Sequence, residues 1–259
     1  MRIALGVEYN GQSFFGWQIQ EGVRTVQGCL ETALSKVANH PVQLFCAGRT
    51  DRGVHGMGQV VHFDSNAERS LHSWVMGANV NSPEEVSVLW AKPVDETFHA
   101  RFSATRRRYR YIIMNRKVRP SFLAGRVSWE RRDLDVQKMA EAGQFLIGEH
   151  NFNSYRAVAC QAKNPVRTIH SLELYRSGPF IILDVEANAF LHHMIRNIAG
   201  VLMAIGAGER PVEWAKELLH VCDRTQGGVT APPHGLYFVN VTYPEQYEIP
   251  TTEAMPLVW

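Results

Sequence analysis

One carboxylate stands between two arginines in Cys46-Ala47-Gly48-Arg49-Thr50-Asp51-Arg52-Gly53-Val54-His55-Gly56-Met57-Gly58, a segment joining two strand-like runs. Adjacent positive charge keeps an aspartate ionised. An ionised Asp51 could act as a nucleophile or as a base. The four glycines permit tight turns and close approach of another backbone. The segment fits neither Gly-x-Gly-x-x-Gly nor a Gly-Lys-Ser/Thr phosphate loop, and no helical periodicity follows it, so it gives a nucleotide cofactor no support. The same residues also admit a purely structural reading, since Asp-x-Gly is a common turn.

The second candidate region is basic. From Arg101 to Arg132 the chain carries eleven arginines and lysines against one acid, Glu130, a local charge of +10. The whole chain is only +2, so the remainder stands at −8. A basic strip on an acidic body suits a polyanion, because phosphates release counterions when Lys and Arg replace them; the alternative is a solvated charged face. Within the strip, Arg106-Arg107-Arg108-Tyr109-Arg110-Tyr111-Ile112-Ile113-Met114 has strand character. Alternation would send Arg107, Tyr109 and Tyr111 to one face and Arg106, Arg108 and Arg110 to the other. Rings and guanidinium groups on one strand suit nucleic acid with an exposed base, or else tyrosines that cap a core.

The elements that must position these groups read as α+β. Strands are expected at Ile3 to Tyr9, Val42 to Ala47, Gln59 to Phe63 and Val86 to Lys92, with helices from Thr25 to Ala38 and from Leu71 to Asn79. After the basic strand, Asp133 and Asp135 can start a helix carrying Val136, Met139, Ala140 and Gly143 on one face. Strands Ile169 to Arg176 and Phe180 to Glu186 flank a Ser177-Gly178-Pro179 turn. A long helix is expected from about Leu191 to Gly206, another from Pro211, and a last strand at Leu236 to Tyr243. The junction at Pro93 to Thr105 divides the chain into residues 1–104 and 105–259, and two such halves invite a cleft.

At 259 residues, 45% hydrophobic and 20% charged, the chain has ample material for a packed core. Its N-terminus reaches Glu8 after a few apolar residues, too soon for a signal-peptide core or a membrane span, which predicts a cytoplasmic protein without a membrane partner. Cys29, Cys46, Cys160 and Cys222 form no C-x-x-C pair and read as reduced thiols. His192-His193, with His55 and His62, lack metal-ligand spacing, so no metal is expected.

The string Gly48-Arg49-Thr50-Asp51-x-Gly53-Val54-His55 resembles the signature of the tRNA pseudouridine synthase A family. The resemblance continues in order through Gly58-Gln59-Val60-Val61-His62-Phe63, Phe98 to Ala104, Arg107-Arg108-Tyr109-Arg110-Tyr111, His192 to Asn197 and Gly235-Leu236-Tyr237. It therefore spans nearly the whole chain. Arg52 stands where relatives commonly carry a small residue, outside the matched functional positions.

The resemblance implies two ferredoxin-like halves whose mostly antiparallel sheets combine, with helices packed on them and the active-site cleft between the halves. It implies isomerisation of uridine to pseudouridine at positions 38, 39 and 40 of the tRNA anticodon stem-loop, with no cofactor or metal. It also implies a homodimer in which both subunits touch one tRNA. Residue by residue, Asp51 is the catalytic carboxylate and Arg196 pairs with it. Tyr109 stacks on the uracil and can help remove its C5 proton. Arg49 supports the flipped nucleotide, Leu236 is an apolar wall, and Arg107, Arg108 and Arg110 bind substrate. Two rivals remain open on the residues alone. One is a non-catalytic RNA-binding protein of the same fold; the other is a carboxylate-dependent glycosidase or nucleoside hydrolase, for which a second acid tied to the Asp51 loop is missing.

Overall fold

Strand β1 (Arg2–Tyr9) is apolar through its centre and buried almost throughout, the mark of a strand covered on both faces. It pairs antiparallel with β3 (His55–Asp64) on one side and with β4 (Val86–Val94) on the other. The computed structural model describes residues 1–251. These fall into two compact units, one made of residues 1–107 together with the returning C-terminal segment from Tyr237, the other of Arg108–Leu236.

In the first unit, helix α1 (Val26–Ala38) starts where sequence predicted: the Thr25 side chain accepts the Gly28 N–H, and Asn39 ends the helix in the left-handed region at φ 58°. Helix α2 (Leu71–Asn81) is capped by Ser70, whose side chain accepts the Ser73 N–H. Leu30 and Leu34 of α1 and Trp74 of α2 share a core with Leu5, Val7 and Phe63 of the sheet. Each such side chain removed from water contributes about 1.5–3 kcal/mol. The run expected from Val42 to Ala47 shrinks to a two-residue strand, β2 (Phe45–Cys46), on β3. The order β-α-β-β-α-β, with β1 between β3 and β4 and β2 outside β3, is that of a ferredoxin-like unit.

The second unit takes up β5 (Arg106–Asn115) from Arg108 onward and adds β6 (Ser128–Glu130), α3 (Val136–Gln144), β7 (Gly148–Asn151), β8 (Val166–Ser177), β9 (Phe180–Ala187), α4 (Met194–Gly206) and α5 (Trp214–Val221). Its strands run in the order β5-β9-β8-β7, with β6 alongside β5 in parallel. The β8–β9 hairpin turns at Gly178, as its composition predicted. Asp135 caps α3 by accepting the N–H groups of Gln137 and Lys138. Strand β10 (Leu236–Thr242) departs from the expected division. It lies parallel to β3, with Tyr237 opposite His55, so all but its first residue belongs to the first unit. The architecture is mixed α+β, mostly antiparallel, with five α-helices among the described residues. None of these is long and apolar enough to cross a membrane.

Candidate active site

Asp51 lies in a loop that the first unit holds from three directions. From β1, the buried Tyr9 hydroxyl meets the Thr50 hydroxyl at 2.8 Å. From the segment ahead of α1, the Trp17 N–H donates to the Thr50 carbonyl at 3.0 Å. From β3, the Gln59 side chain donates to the Gly48 carbonyl at 2.6 Å and accepts the Gly48 N–H at 3.4 Å. Gln59 is fully buried, and its amide binds the backbone of this loop at Gly48.

The turn itself closes through the Val54 N–H, which donates to the Asp51 carbonyl at 3.1 Å, with Gly53 at φ +79°. That left-handed position suits glycine. Gly16, at φ +92°, packs so closely that a Cβ there would stand 2.7 Å from the Thr50 carbonyl oxygen and 3.1 Å from the carbonyl carbon of Asp51. Two glycines therefore fix the backbone that carries the carboxylate. Asp51 itself is half-buried and Arg49 is exposed. The Arg52 guanidinium lies over the Phe15 ring, 4.1 Å from its centroid, so one of the two flanking cations is held on an aromatic face. Burial pushes the nearby Cys46 thiol up to about 11, which keeps it uncharged at neutral pH.

In the second unit, Tyr109 is buried on β5 and meets Phe190 edge-to-face, with centroids 5.1 Å apart. Arg196 lies in the first turn of α4. Its Nε donates to the Ala231 carbonyl at 2.8 Å, and the Ala231 N–H donates back to the Arg196 carbonyl at 3.1 Å. Leu236 is buried at the start of β10, directly after the 3-10 turn Pro233–Gly235. That turn is tied to the sheet by the Tyr111 hydroxyl, which donates to the Pro232 carbonyl at 2.8 Å and hydrogen-bonds the Ser128 hydroxyl at 2.5 Å. Tyr109 and Tyr111 thus differ in purpose. One is packed by a ring, the other is consumed in bracing the turn before Leu236. His192 and His193 precede α4 rather than sitting on it, because His193 adopts φ +60° and delays the helix to Met194.

The arginines of β5 find partners within the fold. Arg110 is buried, and its Nε and Nη2 both reach Asp184 Oδ2, at 3.1 and 2.8 Å. Asp184 is buried too, and Arg108 approaches its other oxygen at 3.4 Å. Arg107 donates to the carbonyls of Ala104 at 3.0 Å, Arg101 at 2.5 Å and Ala47 at 3.4 Å. A guanidinium with five donors in a fixed fork can join three carbonyls in this way. Reading the sequence did not single out Asp184, Gln59, Tyr9 or Gly16 as supports of the site. Gln59 alone carried a signal, a polar residue inside an apolar strand run.

A family model described as tRNA pseudouridine synthase matches residues 6–103 and 142–244. The chain is 59% identical over 259 residues to tRNA pseudouridine synthase A of Nitrosococcus oceani, covering 100% of both. It is 58% identical over 257 residues to the protein of that name from Alcanivorax borkumensis, covering 99% of this chain and 96% of that one. It is 60% identical over 250 residues to that of Pseudomonas aeruginosa, covering 96% and 88% respectively.

Proposed function

The chain belongs to the tRNA pseudouridine synthase family, and from that premise we propose that it isomerises uridines 38, 39 and 40 of the tRNA anticodon stem-loop to pseudouridine. The observation that carries the catalytic assignment is the immobilised Gly48-Arg49-Thr50-Asp51 loop, whose backbone is fixed before any substrate arrives. Preorganisation of a charged group is worth more than its mere presence, because no reorganisation is left for the moment of reaction.

The reaction breaks the bond between ribose C1′ and uracil N1, turns the base and joins C1′ to C5. N1 gains a proton and C5 loses one, so bonds are redistributed without net oxidation and the chemistry needs no redox cofactor. Asp51 acts by one of three routes: attack on ribose C1′, addition to uracil C6, or removal of the ribose 2′ proton to give a glycal. Each asks for an ionised carboxylate at a fixed place. The target base must first leave its stack, at a cost of a few kcal/mol.

In this reading Arg49, exposed beside Asp51, supports the flipped nucleotide. Tyr109 stacks on the uracil and assists loss of the C5 proton, Arg196 pairs with Asp51, and Leu236 forms an apolar wall. Of the three arginines assigned to RNA, Arg108 keeps a half-exposed guanidinium for phosphate. Arg107 and Arg110 are satisfied within the fold and serve by holding the strand in shape. A cytoplasmic homodimer, with both subunits touching one tRNA, completes the proposal.

The test is chemical mapping of pseudouridine in tRNA transcripts that carry a single uridine at position 38, 39 or 40. Modification at each of them supports the reading. Modification confined to another arm of the tRNA overturns the site assignment, and release of free uracil would favour a hydrolase.

A further inference from the structure

Phe102 is 75% exposed, yet it sits on a loop with little freedom to move. Within residues 98–103, the His99 N–H donates to the Ser103 hydroxyl and the Ser103 N–H to the His99 carbonyl, both at 2.9 Å. The N–H groups of Arg101 and Phe102 both donate to His99 Nδ1, at 3.1 and 3.3 Å. Beneath the loop, the Ala100 N–H donates to His62 Nδ1 at 3.1 Å, and the Tyr243 hydroxyl donates to the Ala100 carbonyl at 2.6 Å. Arg107 holds the Arg101 carbonyl.

The rings form a ladder. Phe102 lies on His99 with centroids 4.4 Å apart and an interplanar angle of 38°. His99 meets His62 at 4.6 Å, and His62 stacks on Phe45 at 5.1 Å and 22°. Burial, then His99 and Arg2, push His62 down to about 4, and burial also lowers His99, so both imidazoles are neutral near pH 7. The Arg101 guanidinium stands 5.5 Å from the Phe102 centroid.

A single exposed apolar side chain is ordinary on a protein surface and signals nothing by itself. Phe102 differs because its ring is backed by a second ring, its backbone is stitched at every residue, and a cation stands over the ring. A rigid π-face beside a guanidinium is complementary to a nucleobase and its adjoining phosphate. Stacking on it requires little further ordering of the protein. An unpaired base exposes such a face, whereas a base within a duplex does not.

We propose that Phe102, backed by His99 and flanked by Arg101, is a stacking platform for an unpaired base of the RNA substrate other than the uridine being isomerised. The proposal rests on the reading of the chain as an RNA-modifying enzyme and adds to it a second point of base recognition, in the first unit.

The test is equilibrium binding of an unmodified tRNA transcript, and of a fully paired RNA duplex of similar length, to wild type and to Phe102→Ala, Phe102→Leu and Phe102→Trp. Because the side chain is exposed, these substitutions leave the core intact. The Ala and Leu variants should bind tRNA about tenfold more weakly, Trp should restore binding, and duplex binding should move by less than about twofold. In turnover, KM should rise with kcat retained. Unchanged tRNA binding by the Ala variant overturns the platform, as does full binding by the Leu variant or an equal loss for tRNA and duplex. A change of sedimentation coefficient that accompanies the loss also overturns it, by marking Phe102 as a contact between copies. Binding is read apart from turnover, so a wild type that forms no pseudouridine would fail the proposed function while the Phe102 series still decides the platform.

Discussion

The hydroxyls of Tyr9 and Thr50 meet at 2.8 Å in a buried site, tying the residue before Asp51 to the central strand of the first unit. Burial pushes the Tyr9 phenol far above the ordinary tyrosine range, so it stays protonated at any pH at which the protein works. The link is thus a permanent part of the scaffold. A carboxylate on a surface loop gains its precision from bonds of this kind.

Tyr9→Phe should therefore do two separable things. Losing the bond strands a buried Thr50 hydroxyl and should lower stability by about 1–2 kcal/mol, read as a shift in the urea midpoint. Loosening the loop should lower single-turnover pseudouridine formation by about tenfold while tRNA affinity stays the same. A variant that loses stability but keeps full turnover would show that the bond has no part in placing Asp51.

The buried pair of Arg110 and Asp184, with Arg108 on the second oxygen, supports a different prediction. Asp184→Ala leaves a guanidinium without its counter-charge inside the second unit and should cost about 3–5 kcal/mol of unfolding free energy. The double change Asp184→Leu with Arg110→Met should recover much of that loss. Calorimetric or urea unfolding of the three proteins checks both statements.

Salt dependence separates the arginines of β5. Arg108→Gln should flatten the slope of log K against log salt for tRNA binding by about one. Arg107→Gln should leave the slope unchanged and reduce stability instead, because the amide cannot span the three carbonyls that the guanidinium joins. Equal slopes for Arg108→Gln and wild type would remove that residue from the phosphate interface.

His62 gives a pH dependence with a definite sign. Its folded pKa is lowered to about 4 from 6.5, chiefly by burial, so between those values the unfolded chain binds more protons than the folded one. Its contribution is complete above about pH 6.5 and is lost as pH falls towards 4. His62→Gln keeps an acceptor for the Ala100 N–H and should make the fall of the urea midpoint across this window shallower. A slope equal to that of wild type would show that His62 does not titrate in it.

Much of the fold was legible because local signals agreed with packing. Thr25 capped the first helix, Gly178 turned the β8–β9 hairpin, and Asp135 began α3, each at the position its chemistry indicates. What escaped was decided by distant partners. The stretch from His55 to Gly58 looks like loop because of its glycines, yet pairing of Tyr237 with His55 draws it into β3. Arg110 looks like an exposed cation until Asp184, 74 positions along the chain, supplies its counter-charge. The Asp51 loop could be found from its residues, but its rigidity could not, since Tyr9, Gly16 and Gln59 act through tertiary contacts that no spacing rule reports.

Release of tritium from tRNA labelled at uracil C5, compared between wild type and Asp51→Asn at equal tRNA occupancy, addresses the central claim most directly. The account predicts release by wild type with pseudouridine formed in the anticodon stem-loop, and none above background from an Asp51→Asn protein that still binds tRNA. Release by Asp51→Asn at a rate near that of wild type would contradict it, and the catalytic carboxylate would have to be sought elsewhere in the chain.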